Sequence, residues 1–145
     1  MIALSVVAAK LADIEDRIAM VRKHRLDEAA KYTSSPEARD LVAFNLMLAV
    51  QSAADLAAHV IADEALAPPR TVAEGFDRIA QHGVIGQELA ARLQRAVGFR
   101  NVVAHGYARM NLDVLHGAAM QGADDLQAFV TALAQWTAQR DPGDR

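Results

Sequence analysis

The residues best suited to chemistry in this sequence lie together in the stretch GFRNVVAHGY, from Gly98 to Tyr107. It brings together an arginine, an asparagine, a histidine and a tyrosine around three small apolar residues. Histidine has an unperturbed pKa of about 6.5 and can take or give a proton at neutral pH. Arginine stays charged and offers several donors, which bind a phosphate as negative charge accumulates on it. Arg100 and His105 together therefore suit the cleavage of a phosphodiester.

RNA is the substrate that fits this set of residues, because the 2′-hydroxyl of RNA is an internal nucleophile. No serine or cysteine nucleophile is then needed, and the chain contains no cysteine. The sequence also shows no carboxylate cluster for magnesium, and its histidines show no pairing at the spacings of metal ligands. We therefore predict cleavage of RNA that needs neither a metal nor a cofactor.

The Arg100–His105 pair is weak evidence when it is taken alone. With twelve arginines and five histidines in 145 residues, about 0.4 such pairs are expected by chance. A histidine near a helix end also caps or packs more often than it catalyses. In a continuous helix, a separation of five residues puts two positions about 140° apart. Either the helix loosens near Ala104–Gly106, or the two side chains line the walls of a shared cleft.

The helix that leads into the motif places Arg100 on an apolar stripe. The other stripe residues follow helical spacing and are Leu89, Leu93, Ala96 and Val97. The step from Leu89 to Arg100 is three helical turns plus about 20°, so the arginine continues the stripe. An unpaired buried charge costs several kcal/mol, and Arg100 must therefore meet an anion or acceptors. An intramolecular ion pair and a phosphate site both meet this requirement.

A polar seam on the preceding long helix is a candidate counterpart to the motif. Its members lie within about 80° of one another on a helical wheel and are Asn45, Ser52, Asp55 and His59. The seam is either a solvated edge or a surface that faces Arg100 and His105. In the second case Asp55 orients Arg100 or His59. The spacing leaves both alternatives open.

The composition favours helices, because alanine and leucine are abundant and lose little entropy in a helix. Apolar periodicity and turn residues predict five helical segments, at about 2–31, 36–65, 71–81, from 86 into the motif, and 112–139. Ser35 is the expected N-cap of the second segment, with Pro36 at its first position. Gly117 and Gly122 weaken the last segment, and a break there would divide it into two pieces. Short loops between long helices predict an all-α antiparallel bundle.

The bulk properties narrow the class of protein further. The chain is long enough for one domain, expected over 1–140, with a frayed tail at 141–145. We expect a soluble, cytoplasmic protein, since no signal peptide is seen and no apolar run reaches the roughly 18–20 residues of a membrane span. The net charge of −3 argues against a surface that is basic throughout. A local basic patch remains, formed by Arg92, Arg95, Arg100 and Arg109.

The full motif resembles a known family. RNVVAHGY resembles the signature of HEPN-domain proteins, in which a polar residue follows the arginine and a histidine comes four to six residues later. GFRNVVAHGY resembles more narrowly the HepT-like toxin family (DUF86), whose motif extends two places beyond the histidine to a tyrosine. The resemblance covers nearly the whole chain, because the helix NLMLAVQSAADLAAHVIAD, the proline turn and the segment AEGFDRIAQHGVIG occur in the family's order.

The resemblance implies a HEPN-like bundle that forms a homodimer with a composite cleft. It implies a metal-independent endoribonuclease that acts as the toxin of a type II toxin–antitoxin system on mRNA or tRNA. An MNT-type nucleotidyltransferase antitoxin would neutralise it through AMPylation of the motif tyrosine, which is Tyr107 here. Arg100 would bind the scissile phosphate and His105 would transfer the proton. Asn101 would orient the phosphate or hold the cleft wall, and Asp55 and His59 would have supporting roles.

Two other interpretations of the sequence remain. The chain is a non-enzymatic helical module that binds a nucleotidyltransferase and helps to present its substrate, or it is a structural bundle without a site. Neither of them requires the Arg100–His105 pair, which is intact. The intact pair therefore favours the ribonuclease.

Overall fold

The computed structural model of the protein describes residues 4–106 and 110–140, with only the backbone described for residue 4 and for 104–106. The described α-helices are α1 (Leu4–His24), α2 (Pro36–Asp63), α3 (Val72–Gln81), α4 (Gln87–Gly106), α5 (Leu112–Gly117) and α6 (Ala123–Gln139). A 3₁₀ helix covers Ala29–Ser34, and a π turn, Ala118–Gly122, joins α5 to α6. The described ranges contain no strand. The predicted all-α bundle is confirmed.

The first helix is shorter than the sequence predicts. α1 ends at His24 rather than near residue 31, and its last turn carries basic residues, which suit the negative end of the helix dipole. The chain then folds back through the 3₁₀ helix, where Tyr32 is fully buried. The Tyr32 hydroxyl accepts a hydrogen bond of 3.0 Å from the backbone N–H of Leu26. Burial of this tyrosine accounts for the early end of α1.

Apolar side chains at three- and four-residue spacing form a buried stripe along α1. The buried members are Val7, Leu11, Ile14, Ile18 and Val21. This face packs mainly on α2 and also on α6. The core continues to the other end of the bundle, where the rings of Phe76 and Phe129 meet edge to face with centroids 5.9 Å apart. The single predicted core therefore connects the first and last helices.

α2 is the central helix and contacts α1, α3, α4 and α6. It starts with Pro36 at its first turn as predicted, although the Ser35 side chain makes no capping hydrogen bond. By length and composition α2 is long and apolar enough to cross a membrane, contrary to the expectation from the sequence, and half of its most apolar window is buried. An apolar helix of this kind is typical of the core of a soluble bundle. α2 also has apolar side chains on its outer face, among them the exposed Phe44.

The loop between α2 and α3 is fixed by hydrogen bonds at the start of α3. The Thr71 hydroxyl accepts a bond from the backbone N–H of Glu74 at 3.1 Å and caps the helix. The Glu74 carboxylate accepts a second bond from the backbone N–H of Arg70, also at 3.1 Å. Arg70 and Thr71 are thereby held against the first turn of α3.

Arg100 and His105 lie on the last two turns of α4, which runs without a break to Gly106. The alternative in which the helix loosens before His105 is therefore wrong. Arg100 and His105 occupy one regular helix, about 7.5 Å apart along its axis and about 140° apart around it. The helical hydrogen bonds of the backbone hold both positions.

The last helical segment extends from Leu112 to Gln139 as predicted. It divides into two α-helical pieces between the two glycines: α5 ends at Gly117, and the five-residue π turn that ends at Gly122 lies between α5 and α6. Arg25 supports this wider turn, since its Nη1 donates a hydrogen bond of 3.1 Å to the carbonyl oxygen of Ala119. Residues 141–145, where a frayed tail is predicted, lie outside the described residues.

Candidate active site on helix α4

Arg100 is half-buried at the end of the apolar stripe of α4. The stripe residues Leu93 and Val97 before it are buried, which confirms the predicted line. The Arg100 Nη2 atom donates a hydrogen bond of 3.0 Å to the Oδ1 atom of Asn101. No carboxylate of the described residues pairs with Arg100. An intramolecular ion pair within that part of the chain therefore does not account for this arginine.

Arg100 lines a cleft of about 360 Å³ between α2, the α2–α3 loop and α4, here called the Arg100 cleft. The wall from α2 is formed by Ala54, Asp55, Ala58 and Ile61. The opposite wall comes from the loop and the start of α3, and consists of Pro69, Arg70, Thr71, Val72 and Gly75. The cleft thus combines a mostly apolar lining with a few charged groups, as ligand sites commonly do.

Two members of the polar seam on α2 face α1 and not the motif. Asn45 is buried, and its Oδ1 atom accepts a hydrogen bond of 3.1 Å from Arg17 Nη1. Its amide nitrogen donates to the carbonyl oxygen of Leu41 at 2.7 Å. The Ser52 hydroxyl donates to an Asp13 carboxylate oxygen at 2.9 Å. These side chains satisfy one another between α1 and α2, and this half of the seam is structural.

The other two members of the seam, Asp55 and His59, lie in different surroundings. Asp55 lines the Arg100 cleft, as one alternative expects, and its side chain is 53% exposed. Its carboxylate pairs with Lys10 Nζ at 3.6 Å and makes no ion pair with Arg100. His59 lies one helical turn further along, is exposed, and is not part of the cleft lining. The structure therefore brings Asp55 and Arg100 to one cleft without His59.

His105 and Tyr107 are only partly placed. The backbone of His105 belongs to the last turn of α4, and its side chain is outside the described part of the structure. Tyr107 and Arg109 lie outside the described residues altogether. The site is thus defined by Arg100, Asn101 and the cleft that Arg100 lines.

The predicted basic patch is smaller than the sequence suggests. Arg92 is half-buried and already paired, because its Nε donates to Asp125 Oδ1 at 2.8 Å and its Nη1 lies 3.9 Å from Glu88. Asp125 is itself buried and also accepts a hydrogen bond from Gln121 at 3.0 Å. Arg95 is exposed and makes no ion pair within the described ranges. The sequence does not distinguish the four arginines, whereas in the structure one of them, Arg92, pairs with a carboxylate of α6.

A second pocket, of about 280 Å³, lies on the other flank of α4, against α5 and the π turn. Its lining is largely apolar and includes Ala96, Phe99, Val114 and Leu126. Arg92 and Asp125 also line it and are paired with each other. Arg95, which makes no ion pair within the described ranges, lines the pocket as well.

Residues 13–133 match the protein family described as Ribonuclease HepT-like. The match includes α2, α3, α4 and the motif, and it confirms that the chain resembles the HepT-like family. The chain belongs to the HepT-like ribonuclease family.

Known proteins agree with this HepT-like assignment. The chain is 28% identical over 95 residues to the mRNA nuclease HepT of Shewanella oneidensis, covering 66% of this chain and 71% of that protein. The tri-AMPylated HEPN toxin of Shewanella oneidensis, solved in complex with an MNT antitoxin, has a TM-score of 0.83 at 23% identity. That similarity covers 92% of this chain and 99% of the toxin chain.

A third protein shares the fold at still lower identity. YutE of Bacillus subtilis, a cytosolic protein of unknown function, has a TM-score of 0.81 at 13% identity, covering 94% of this chain and 91% of its own. At such identities the likeness of these structures establishes the fold alone. The HepT-like bundle is thus maintained by very different sequences.

Arg70 is a cleft residue that the sequence analysis missed. It is exposed, lines the Arg100 cleft, and lies 30 positions before Arg100 in the chain. The only available signal was a basic residue directly after the proline pair Pro68–Pro69 and before the cap of α3. Nothing in the sequence relates that loop to the motif, because the contact depends on the packing of α3 on α4.

The described residues contain no group of three or more His, Asp or Glu side chains that could hold a metal ion. Charged groups that line the Arg100 cleft are Asp55, Arg70 and Arg100. Two of these three are arginines, so the chemistry of the cleft suits an anion.

Proposed function

We propose that this protein is the toxin of a type II toxin–antitoxin system and acts as a metal-independent endoribonuclease. Its family is one of ribonucleases, and the motif Arg-x4-His-x-Tyr is complete from Arg100 to Tyr107. The observation that carries the proposal is the half-buried Arg100, which lines a cleft and pairs with no carboxylate of the described residues. A cation held this way binds a phosphate without first breaking an ion pair.

The proposed reaction assigns one task to each motif residue. Arg100 binds the scissile phosphate and offsets the charge that develops on its oxygens. Asn101 accepts a hydrogen bond from Arg100, which orients the guanidinium. The RNA 2′-oxygen loses its proton and attacks phosphorus, the P–O5′ bond breaks, and the 5′-oxygen takes up a proton. His105 transfers the proton, and the products are a 2′,3′-cyclic phosphate and a 5′-hydroxyl.

The supporting roles proposed for α2 differ in strength. Asp55 lines the same cleft as Arg100, which supports a part in placing the substrate. Its pairing with Lys10 lessens its repulsion of a phosphate. His59 is exposed and outside the cleft lining, so its support role rests on the motif resemblance alone.

The substrate we propose is mRNA or tRNA in the cytoplasm. The curated relative from Shewanella oneidensis is named an mRNA nuclease, which supports mRNA. The acidic net charge of −3 limits binding to the local site around Arg100. We therefore expect recognition of a single-stranded segment in the cleft rather than coating of an RNA surface.

We propose that two copies form a dimer across the outer face of α2. Phe44 is 51% exposed on this face, and Leu48 one turn further is only half-buried. Asp55 continues the same face and lines the Arg100 cleft. A dimer built on this face would cover the apolar residues and bring the two clefts together, as the composite cleft of the resemblance requires.

We propose that an MNT-type nucleotidyltransferase is the antitoxin and that it AMPylates Tyr107. The relative solved with an MNT antitoxin is tri-AMPylated, which supports the same partnership here. Tyr107 lies two positions after His105 in the sequence. An AMP group at this position adds a negatively charged phosphate and a bulky nucleoside, and would compete with RNA for Arg100.

The proposal is tested by incubating the purified protein with total RNA in the presence of EDTA. Wild type should cleave RNA, whereas Arg100→Ala and His105→Ala should not. Arg22→Ala is the matched control, because Arg22 lies on α1 and pairs with Asp124 at 2.9 Å, outside the cleft. A wild-type protein that leaves all RNA intact would support the non-enzymatic module instead.

A further inference from the structure

The wall of the Arg100 cleft opposite α2 carries a second arginine. Arg70 and Val72 are both exposed and flank Thr71, the N-cap of α3. The two bonds to Glu74, one from its backbone N–H to Thr71 and one from Arg70 to its carboxylate, fix this wall. The base of the Arg70 side chain is therefore held in place on a rigid element and not on a free loop.

The charge of Arg70 is available to a ligand. Glu74 is the acid that contacts the Arg70 backbone, and its carboxylate is also taken by Arg78, whose Nη2 lies 2.7 Å away. The Arg70 guanidinium makes no ion pair or side-chain hydrogen bond within the described part of the chain. On the facing wall, Asp55 pairs with Lys10. The cleft is therefore lined by two cations, Arg70 and Arg100, that have no carboxylate partner within the described part of the chain.

We propose that Arg70 forms a second phosphate-binding subsite in the Arg100 cleft. It would take the RNA phosphodiester next to the one at Arg100, and this inference rests on the proposed ribonuclease function. Val72 and Ala58 also line the cleft and offer the sugar and base an apolar surface. The cleft volume of about 360 Å³ is at the small end of ligand sites, which suits a single-stranded segment.

The subsite is a binding element and Arg70 does not act on the reacting atoms. Its contribution is made to substrate and transition state alike, so its loss raises KM and leaves kcat nearly unchanged. Contacts to phosphate carry no sequence information and are screened by salt. A short single-stranded RNA of mixed sequence is therefore a valid probe even though the natural target sequence is not specified.

The test measures binding of a fluorescent 2′-O-methyl RNA oligonucleotide by anisotropy over a range of NaCl concentrations, with cleavage kinetics on the unmodified RNA. Arg70→Gln should weaken binding about tenfold at low salt and reduce the slope of log K against log salt by about 0.7, the value for one phosphate contact on a single strand. Arg70→Lys should retain the slope. Arg22→Gln is the matched control with the same loss of charge, and should behave as wild type.

A second variant separates loss of the subsite from loss of folding. Val72 is the first residue of α3, where a carboxylate is stabilised by the helix dipole, so Val72→Glu should fold well. It should nevertheless weaken RNA binding, because it puts a negative charge beside Arg70. Suppose that wild type cleaves RNA, and that Arg70→Gln and Val72→Glu show the same salt dependence of binding and the same KM as wild type. The subsite is then overturned and the proposed function stands. A wild type that neither binds nor cleaves RNA overturns both.

Discussion

Arg92 and Arg100 are two arginines on one helix, two turns apart, and their surroundings differ completely. Arg92 donates to the buried carboxylate of Asp125 and ties α4 to α6. Arg100 contacts a neutral acceptor, Asn101, and faces a cleft. Sequence alone counts both as members of one basic patch. The comparison shows that a buried partner, rather than position along the helix, distinguishes a structural arginine from one that is free to bind an anion.

The same contrast extends to the two flanks of α4. One flank holds the Arg100 cleft, where Arg70 and Arg100 have no carboxylate partner among the described residues. The other holds the apolar pocket against the π turn, where Arg92 and Asp125 satisfy each other. Changes on the first flank should alter activity and leave stability intact. Changes to the Arg92–Asp125 pair on the second should do the reverse.

The largest effect is expected from His105→Ala. Loss of a proton-transfer group typically lowers the rate by about 10²–10⁴-fold. The measurement is the initial rate of RNA cleavage under single-turnover conditions. His24→Ala, in the last turn of α1, is the control of the same residue type. Equal rates for His105→Ala and wild type would remove His105 from the mechanism.

Arg100→Ala should reduce cleavage by about 10²–10³-fold, the cost of removing one donor to a developing anionic charge. Its free energy of unfolding should change by less than about 0.5 kcal/mol, because no ion pair within the described part of the protein is broken. Urea denaturation and cleavage assays on the same preparation check both values. A large loss of stability would show that Arg100 is structural, like Arg92.

Arg92→Ala should have the opposite profile. It leaves the buried Asp125 carboxylate with only the Gln121 hydrogen bond and should lower the free energy of unfolding by about 1–3 kcal/mol. This range is below that of a fully buried pair, since the Arg92 side chain is 33% exposed. The activity of the folded fraction should stay within about twofold of wild type. A cleavage assay under conditions well below the unfolding midpoint measures this activity. A drop like that of Arg100→Ala would contradict the division between the flanks.

Phe44→Asp tests the outer face of α2. A carboxylate in place of a 51% exposed phenylalanine should disrupt a dimer that covers this face, with little effect on the fold of one copy. Sedimentation at several protein concentrations should show a shift from dimer to monomer, together with a loss of cleavage if the site is composite. Val114→Asp is the matched control, an equally exposed apolar residue on α5. A Phe44→Asp protein that remains dimeric would place the interface elsewhere.

Tyr107→Phe should have the smallest effect on cleavage, within a few fold, because the tyrosine hydroxyl has no part in the proposed proton transfer. The same change removes the proposed acceptor of AMP. Wild type incubated with ATP and the nucleotidyltransferase antitoxin should gain AMP in intact mass and lose activity, whereas Tyr107→Phe should gain none. Modification of the variant to the wild-type extent would show that another residue is the acceptor.

The sequence predicted the helices well where their limits have local causes. Pro36 starts α2, the proline pair after α2 prevents its continuation, and Thr71 caps α3. The end of α1 was predicted poorly, because it depends on Tyr32, which is buried in the core formed by other helices. Periodicity in one segment carries no information on such a distant contact.

The site divides in the same way. The stripe of α4 predicted the position of Arg100, since it depends on one helix alone. The seam of α2 was uncertain because its members meet different neighbours: Asn45 meets Arg17 of α1, and Asp55 meets the cleft. Arg70 was missed because a loop residue becomes part of a site only after two helices have packed.

The π turn between α5 and α6 makes this part of the chain sensitive to changes in its length. A π turn holds one residue more than the α-helical turn it replaces. Because the turn absorbs that extra residue, removal of a single residue from it, such as the exposed Met120, would restore α-helical geometry and leave the rotation of α6 relative to α5 nearly unchanged. Leu126 and Phe129 would then stay in the core, whereas insertion of a further residue would rotate them by about 100° and expose them. A one-residue deletion within the turn should therefore be tolerated during divergence, whereas an insertion should be rejected.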